Sequence, residues 1–187
     1  QINNLMNFKR YFLSIIVMFF FKSTAIEAND KLFYDLKIND ISGNKLNLND
    51  YRNKVILLVN TASYCGFTKQ YDDLQIVWDK YKKNELIVLG APSNSFNQEK
   101  KSNNEVKEFC EFNFNITFPI TEIINVKGEN AHPLYKWAKN NFGNSAVPKW
   151  NFHKILINKN GNIVETYASF TKPTSKKIVN KIEELIN

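Results

Sequence analysis

Cysteine, histidine and methionine each occur only twice in these 187 residues. His132 and His153 stand far apart, with no cluster of cysteines or acids beside them, so no metal site and no cofactor is expected. Cys65 and Cys110 do not form a Cys-x-x-Cys pair, which counts against a carrier holding both thiols on one turn. The six glycines make no phosphate-binding loop. Acidic residues are outnumbered 18 to 25, giving a net charge of +7. The lysines, however, come in twos and threes interleaved with acids, as at Lys82–Lys83 and Lys176–Lys177, the pattern of a solvated basic surface. No nucleic-acid partner is expected, and the aromatic residues read as core material. Repeats and low-complexity linkers are also missing.

Residues 1–28 read as a signal peptide or N-terminal anchor. Lys9 and Arg10 form a basic region, Tyr11 to Phe21 an apolar one, and Ser23-Thr24-Ala25 a small-residue cleavage site, with Ala28 as an alternative. That apolar run falls short of the roughly 20 residues of a membrane-spanning helix. Lys22 at its end keeps an uncleaved anchor open. The expected location is exported, periplasmic or secreted, with residues 29–187 forming one domain. In such a compartment two cysteines suggest a permanent disulfide, which for a loop of this length would add about 4 kcal/mol of stability. A reactive pair is the alternative.

The apolar run Val55 to Thr61 predicts a strand buried on both faces. Leu74, Val77, Trp78 and Tyr81 recur at helical spacing and predict a helix over 68–83. Leu86 to Gly90 predicts a second buried strand, completing a parallel βαβ unit. Ser102 and Glu105 form a capping box that opens a helix over 102–112, carrying Cys110 near an end expected to fray among weak helix formers. Phe118-Pro119-Ile120 reads as a short extended segment and Pro133 as the start of a helix over 133–140, with His132 as its cap. Lys154–Asn158 and Ile163–Tyr167 flank Asn160-Gly161, a hairpin signal. Pro173 opens a last helix with an apolar stripe at Ile178, Ile182, Leu185 and Ile186. Phe33–Ile38 and Lys45–Leu48 read as a small hairpin near the start. The sum is an α/β chain of thioredoxin-like fold, a central mixed β-sheet flanked by α-helices.

Cys65 is the residue that carries chemistry. It follows the first buried strand and precedes the first helix, where free N–H groups and the helix dipole favour an anion. A thiolate is the form of cysteine that attacks electrophiles. Side-chain N–H donors able to stabilise it lie in Asn94-Ser95-Phe96-Asn97-Gln98-Glu99 and Trp150-Asn151-Phe152. Taken singly, Trp150 reads as core and Gln98 as a surface loop residue. Trp78 reads as core and Trp137 as core or boundary.

Three motifs in order resemble the glutathione peroxidase family in its two-cysteine form, over about residues 31–187. They are Val59-Asn60-Thr61-Ala62-Ser63-Tyr64-Cys65-Gly66-Phe67-Thr68, Pro92-Ser93-Asn94-Ser95-Phe96-Asn97-Gln98-Glu99 and Trp150-Asn151-Phe152-His153-Lys154. The second motif is one residue shorter than usual, with only Asn97 between Phe96 and Gln98, and Ser95 replaces a common glutamine. The resemblance implies that Cys65 is the peroxidatic nucleophile, that Gln98, Trp150 and Asn151 surround it, and that Cys110 is the resolving cysteine. It further implies a thiol peroxidase acting on hydrogen peroxide and organic or lipid hydroperoxides through a sulfenic acid and a Cys65–Cys110 disulfide. A thioredoxin-like dithiol protein or glutathione would regenerate it. The short stretch between Tyr135 and Pro148 implies a monomer. Contact with membranes would come only through the leader or lipid hydroperoxides. The same cysteines would equally serve a peroxide-sensing redox relay that passes its disulfide to a partner.

Overall fold

The computed structural model describes residues 32–83 and 85–187. The expected leader, residues 1–28, lies outside the described residues. From the amino-terminal side the chain forms a 3-10 turn (Phe33–Asp35), β1 (Ile38–Asn39), β2 (Lys45–Leu46), a 3-10 turn (Leu48–Tyr51), β3 (Val55–Thr61), α1 (Gln70–Tyr81), β4 (Leu86–Pro92) and α2 (Asn103–Phe114). Then follow α3 (Pro133–Phe142), a 3-10 turn (Gly143–Ala146), β5 (Lys154–Ile157), β6 (Ile163–Tyr167) and α4 (Lys176–Ile186). The main sheet has the order β4-β3-β5-β6. β3 runs parallel to β4, with Val55 opposite Leu86, and antiparallel to β5. This is the expected mixed sheet.

Every residue of β3 and β4 is buried. Alternate side chains of β3 serve two cores, because successive residues of a strand face opposite sides. Ile56 and Leu58 join Ile87, Leu89, Leu134 and Trp137, on the side covered by α3. Val55, Leu57 and Val59 join Leu74, Val77, Val106, Ile178 and Ile182, on the side covered by α1, α2 and α4. Both cysteines lie in this second core.

Several boundaries differ from the sequence expectation, each for a local reason. The expected strand from Phe33 is instead a 3-10 turn, because consecutive Phe33 and Tyr34 are both buried and a strand would turn one of them outward. Asp35 caps it by accepting from Leu32 N–H at 3.1 Å. α2 ends in a closed cap rather than a frayed turn. Asn115 adopts φ +49° and its N–H bonds the Glu111 carbonyl at 3.1 Å, while Ile116 N–H bonds the Cys110 carbonyl at 3.3 Å. Asn tolerates this left-handed conformation better than most residues. The final helix begins at Lys176, beyond Pro173.

The β5–β6 hairpin forms as expected, its loop gathered by Asn158 Oδ1, which accepts from Asn160 and Asn162 N–H at 3.0 Å. Gly161 there has φ +82°, and a Cβ would stand 2.8 Å from the Tyr34 ring, so glycine is needed twice over. His132 caps α3, its Nδ1 accepting from Leu134 N–H at 3.2 Å.

Candidate active site

Between β3 and α1 the chain makes a run of tight turns. Thr68 N–H bonds the Cys65 carbonyl at 3.0 Å, Gln70 N–H bonds the Phe67 carbonyl at 2.8 Å, and Cys65 N–H bonds Thr68 Oγ1 at 3.1 Å. Cys65 is 7% exposed. Helix α1 starts only at Gln70, so the sulfur is not at its N-terminus as the sequence suggested. Its N–H donor comes from the turn itself: Phe67 N–H points at Sγ from 3.4 Å.

The loop after β4 brings Gln98 to this turn. Asn97 at φ +57° and the bond from its N–H to the Asn94 carbonyl (2.9 Å) reverse the chain. Asn94 Oδ1 then accepts from Glu99 N–H at 3.1 Å. The short motif thus turns through a left-handed asparagine. Gln98 is held against two segments: its carbonyl accepts from Tyr64 N–H at 2.9 Å, and its Oε1 accepts from Asn151 Nδ2 at 3.0 Å. Glu99 fastens the same two loops, its Oε1 accepting from Ser63 N–H at 3.0 Å and Lys100 N–H at 2.8 Å. Burial pushes the Glu99 carboxyl upward, against the lowering effect of those hydrogen bonds.

Asn60 of β3 holds the third segment. Its Nδ2 donates to the Trp150 carbonyl at 3.3 Å and its Oδ1 accepts from His153 N–H at 3.0 Å. Between these anchors Phe152 takes φ +62°, which sends Asn151 toward Gln98 and Phe152 into the core against Tyr71, ring centroids 5.4 Å apart. Trp150 is 42% exposed and tilts onto Phe96 at 5.2 Å. Among the described residues, Gln98, Trp150 and Asn151 make no hydrogen bond to the Cys65 sulfur; the amides of Asn151 and Gln98 bond each other instead.

Cys110 lies apart from this group. On α2 it is fully buried, and desolvation pushes its thiol up to about 11. No disulfide joins it to Cys65. The Tyr71 hydroxyl is its polar neighbour. On the surface above, Lys100 Nζ donates to Tyr64 Oη at 3.0 Å and sits 5.2 Å from the Phe109 ring centroid, so it touches the neighbour of each cysteine.

Residues 33–139 match the glutathione peroxidase family model. The chain belongs to the glutathione peroxidase family. It is 46% identical over 149 residues to a glutathione peroxidase homolog, BsaA, of Halalkalibacterium halodurans, covering 78% of this chain and 94% of that one. It is 42% identical over 157 residues to a glutathione peroxidase-like peroxiredoxin of Schizosaccharomyces pombe (82% and 98%). A hydroperoxy fatty acid reductase of Synechocystis is 38% identical over 169 residues (86% and 98%). Among solved structures, Trgpx in apo form superposes with a TM-score of 0.67 at 40% identity, covering 84% of this chain and 96% of that one. A thiol-disulfide isomerase of Corynebacterium glutamicum, at 16% identity and TM-score 0.64, shares the thioredoxin-like fold. This glutathione peroxidase relative is accordingly an oxidoreductase, a thiol peroxidase.

Four residues escaped the sequence reading. Asn60 and Glu99 lie inside the quoted motifs, yet neither showed as a brace between loops. Tyr71 falls three residues before Leu74, so the apolar stripe of α1 could have been extended to it. Lys154 is fully buried, and its Nζ donates to Gln70 Oε1 (2.6 Å) and to the carbonyls of Ser169 (3.1 Å) and Thr171 (2.6 Å). It ties the first turn of α1 to the loop after β6, beneath the Cys65 turn.

Proposed function

We propose that Cys65 is the peroxidatic sulfur and Cys110 the resolving one. Attack of the Cys65 thiolate on a hydroperoxide breaks the O–O bond, leaving a sulfenic acid and, after one proton is delivered, an alcohol or water. The convergence of Tyr64, Gln98 and Asn151 on the Cys65 turn is the observation that carries this reading. The amides can relay a proton through water, since each both donates and accepts. Cys110 then condenses with the sulfenic acid, water leaves, and a dithiol reduces the disulfide. A closed, buried α2 must open for the sulfurs to meet. A thioredoxin-like dithiol is favoured over glutathione as reductant because a second cysteine is present.

A cleft of about 500 Å³ abuts the site, walled by Phe67, Val147, Trp150, His153 and Phe170, with Lys149 at its edge. Its apolar walls support organic hydroperoxides as substrates beside hydrogen peroxide. We further propose that residues 1–28 direct export and that the chain is a monomer. Cell fractionation and light scattering test these two points.

The decisive measurement is stopped-flow reduction of hydrogen peroxide and of alkyl hydroperoxides of increasing length. Wild type shows a burst and turns over with thioredoxin. Cys65→Ser loses both, whereas Cys110→Ser keeps the burst and loses turnover. A burst surviving in Cys65→Ser removes this assignment.

A further inference from the structure

Lys154 is a fully buried cation that takes no part in the peroxide chemistry above. It opens β5 opposite Val59 of β3 and Tyr167 of β6, and shares their face of the sheet, the one covered by α1. An apolar side chain among apolar neighbours would fill such a place without taking a charge out of water. A charge kept there despite that cost points to a task. Its three protons have three acceptors: Gln70 Oε1 at 2.6 Å and the carbonyls of Ser169 at 3.1 Å and Thr171 at 2.6 Å.

From Gln70 a continuous set of bonds leads to the Cys65 sulfur. The Gln70 side chain is held at both ends, because its Nε2 also donates to the Ser169 carbonyl at 2.7 Å. Its backbone N–H donates to the Phe67 carbonyl at 2.8 Å, and Thr68 N–H donates to the Cys65 carbonyl at 3.0 Å. The peptide plane between Phe67 and Thr68 is thus clamped on both edges. Only the two torsions of Phe67 separate that plane from the Phe67 N–H, which points at Cys65 Sγ from 3.4 Å.

We propose that Lys154 is a positioning residue for the peroxidatic sulfur: through Gln70 it holds the turn that aims the Phe67 N–H at Cys65 Sγ. The role rests on the assignment of Cys65 made above and adds a residue to it. A hydrogen bond donated to sulfur favours the thiolate, so a misaligned Phe67 N–H leaves less of the reactive form. Lys154 touches neither peroxide nor sulfur. It acts on the one N–H donor that the sulfur has among the described residues.

Stopped-flow mixing of the reduced, full-length protein with hydrogen peroxide, at one pH, reads the burst, and the Phe67 amide proton in nuclear magnetic resonance reads the bond. Lys154→Met should slow the burst about tenfold, the size expected for a hydrogen bond to a charged group. Gln70→Leu, which cuts the chain at its next link and leaves the cation in place, should slow it by a similar factor. The double variant should be no slower than either single one, because the two residues act in series. In each variant the Phe67 amide proton should move upfield and exchange faster, while the amides of β3 and β4 keep their protection. A wild-type burst rate in Lys154→Met, a double variant slowed a hundredfold, or a slowed burst with the Phe67 amide unmoved overturns the proposal. Gln70→Leu overturns it alone, whether or not Lys154→Met folds, if it leaves the Phe67 amide where it was. Absence of a burst in the wild type would instead overturn the assignment of Cys65.

Discussion

The two cysteines occupy opposite kinds of surroundings within one core. Cys65 sits in consecutive turns, with a backbone N–H on its sulfur, and the loops around it are joined by buried polar clasps from Asn60, Glu99, Asn151 and Lys154. Cys110 sits inside a regular helix among Val106, Tyr71 and Phe118, and that helix is closed at both ends by capping bonds. The first environment fixes atoms by hydrogen-bond geometry, the second by exclusion of water. Under the proposed two-cysteine cycle, the contrast suits a site that presents one sulfur at a defined angle while withholding the other until it is needed.

Breaking a clasp on the Cys65 side should have the largest effect. Lys154→Met leaves Gln70 Oε1 and two carbonyls without their donor, at a cost of about 3 kcal/mol in urea unfolding at pH 7. Burial pushes the Lys154 ammonium down to about 7 from its ordinary 10.5. Between these values the unfolded chain binds more protons, so wild-type stability rises with pH there. The gap between wild type and Lys154→Met therefore widens from pH 7 toward 10.5; a gap that shrinks would mean the ammonium is favoured inside.

His153 sharpens the comparison on the acid side. Desolvation, then the Lys154 and Lys149 charges, push its ring down to about 4. The unfolded chain binds more protons from pH 6.5 down to about 4, so stability falls through that window, by at most about 3 kcal/mol. His153→Leu should remove this loss while leaving the curve above pH 7 unchanged, as a urea series across pH 4–7 would reveal. On the Cys110 side the expected effect is smaller. Asn115→Ala places an ordinary residue at φ +49° and costs about 1 kcal/mol, with faster amide exchange confined to the last turn of α2. Uniformly faster exchange throughout the molecule would show that this cap does not act locally.

Regular elements were readable because their signals are local. The buried runs of β3 and β4, the Ser102–Glu105 box and the Asn160-Gly161 turn each depend on residues a few positions apart, and each formed as expected. The residues named for the site were found through motif resemblance, and their spacing in the chain does not predict that Asn151 bonds Gln98. The start of α1 was misjudged because Phe67, Thr68 and Lys69 continue the polar-apolar rhythm although their hydrogen bonds are those of turns. The cap at Asn115 was missed because the weak helix formers around it include asparagine, which after glycine most readily closes a helix in the left-handed conformation. Tyr71 and Glu99 were out of reach for another reason. Their partners come from three separate segments, and no periodicity encodes that meeting.

The reversed backbone at Phe152 limits how this protein can diversify. Asn151, Phe152 and His153 are consecutive and buried, yet one meets the amide of Gln98, the next the Tyr71 ring of α1, and the third the wall of an open cleft. Three neighbouring codons thus answer to three unrelated sets of constraints. With the cleft taking the substrate as proposed, altered substrate preference is more accessible through residues such as Val147 and Phe170 than through this tripeptide.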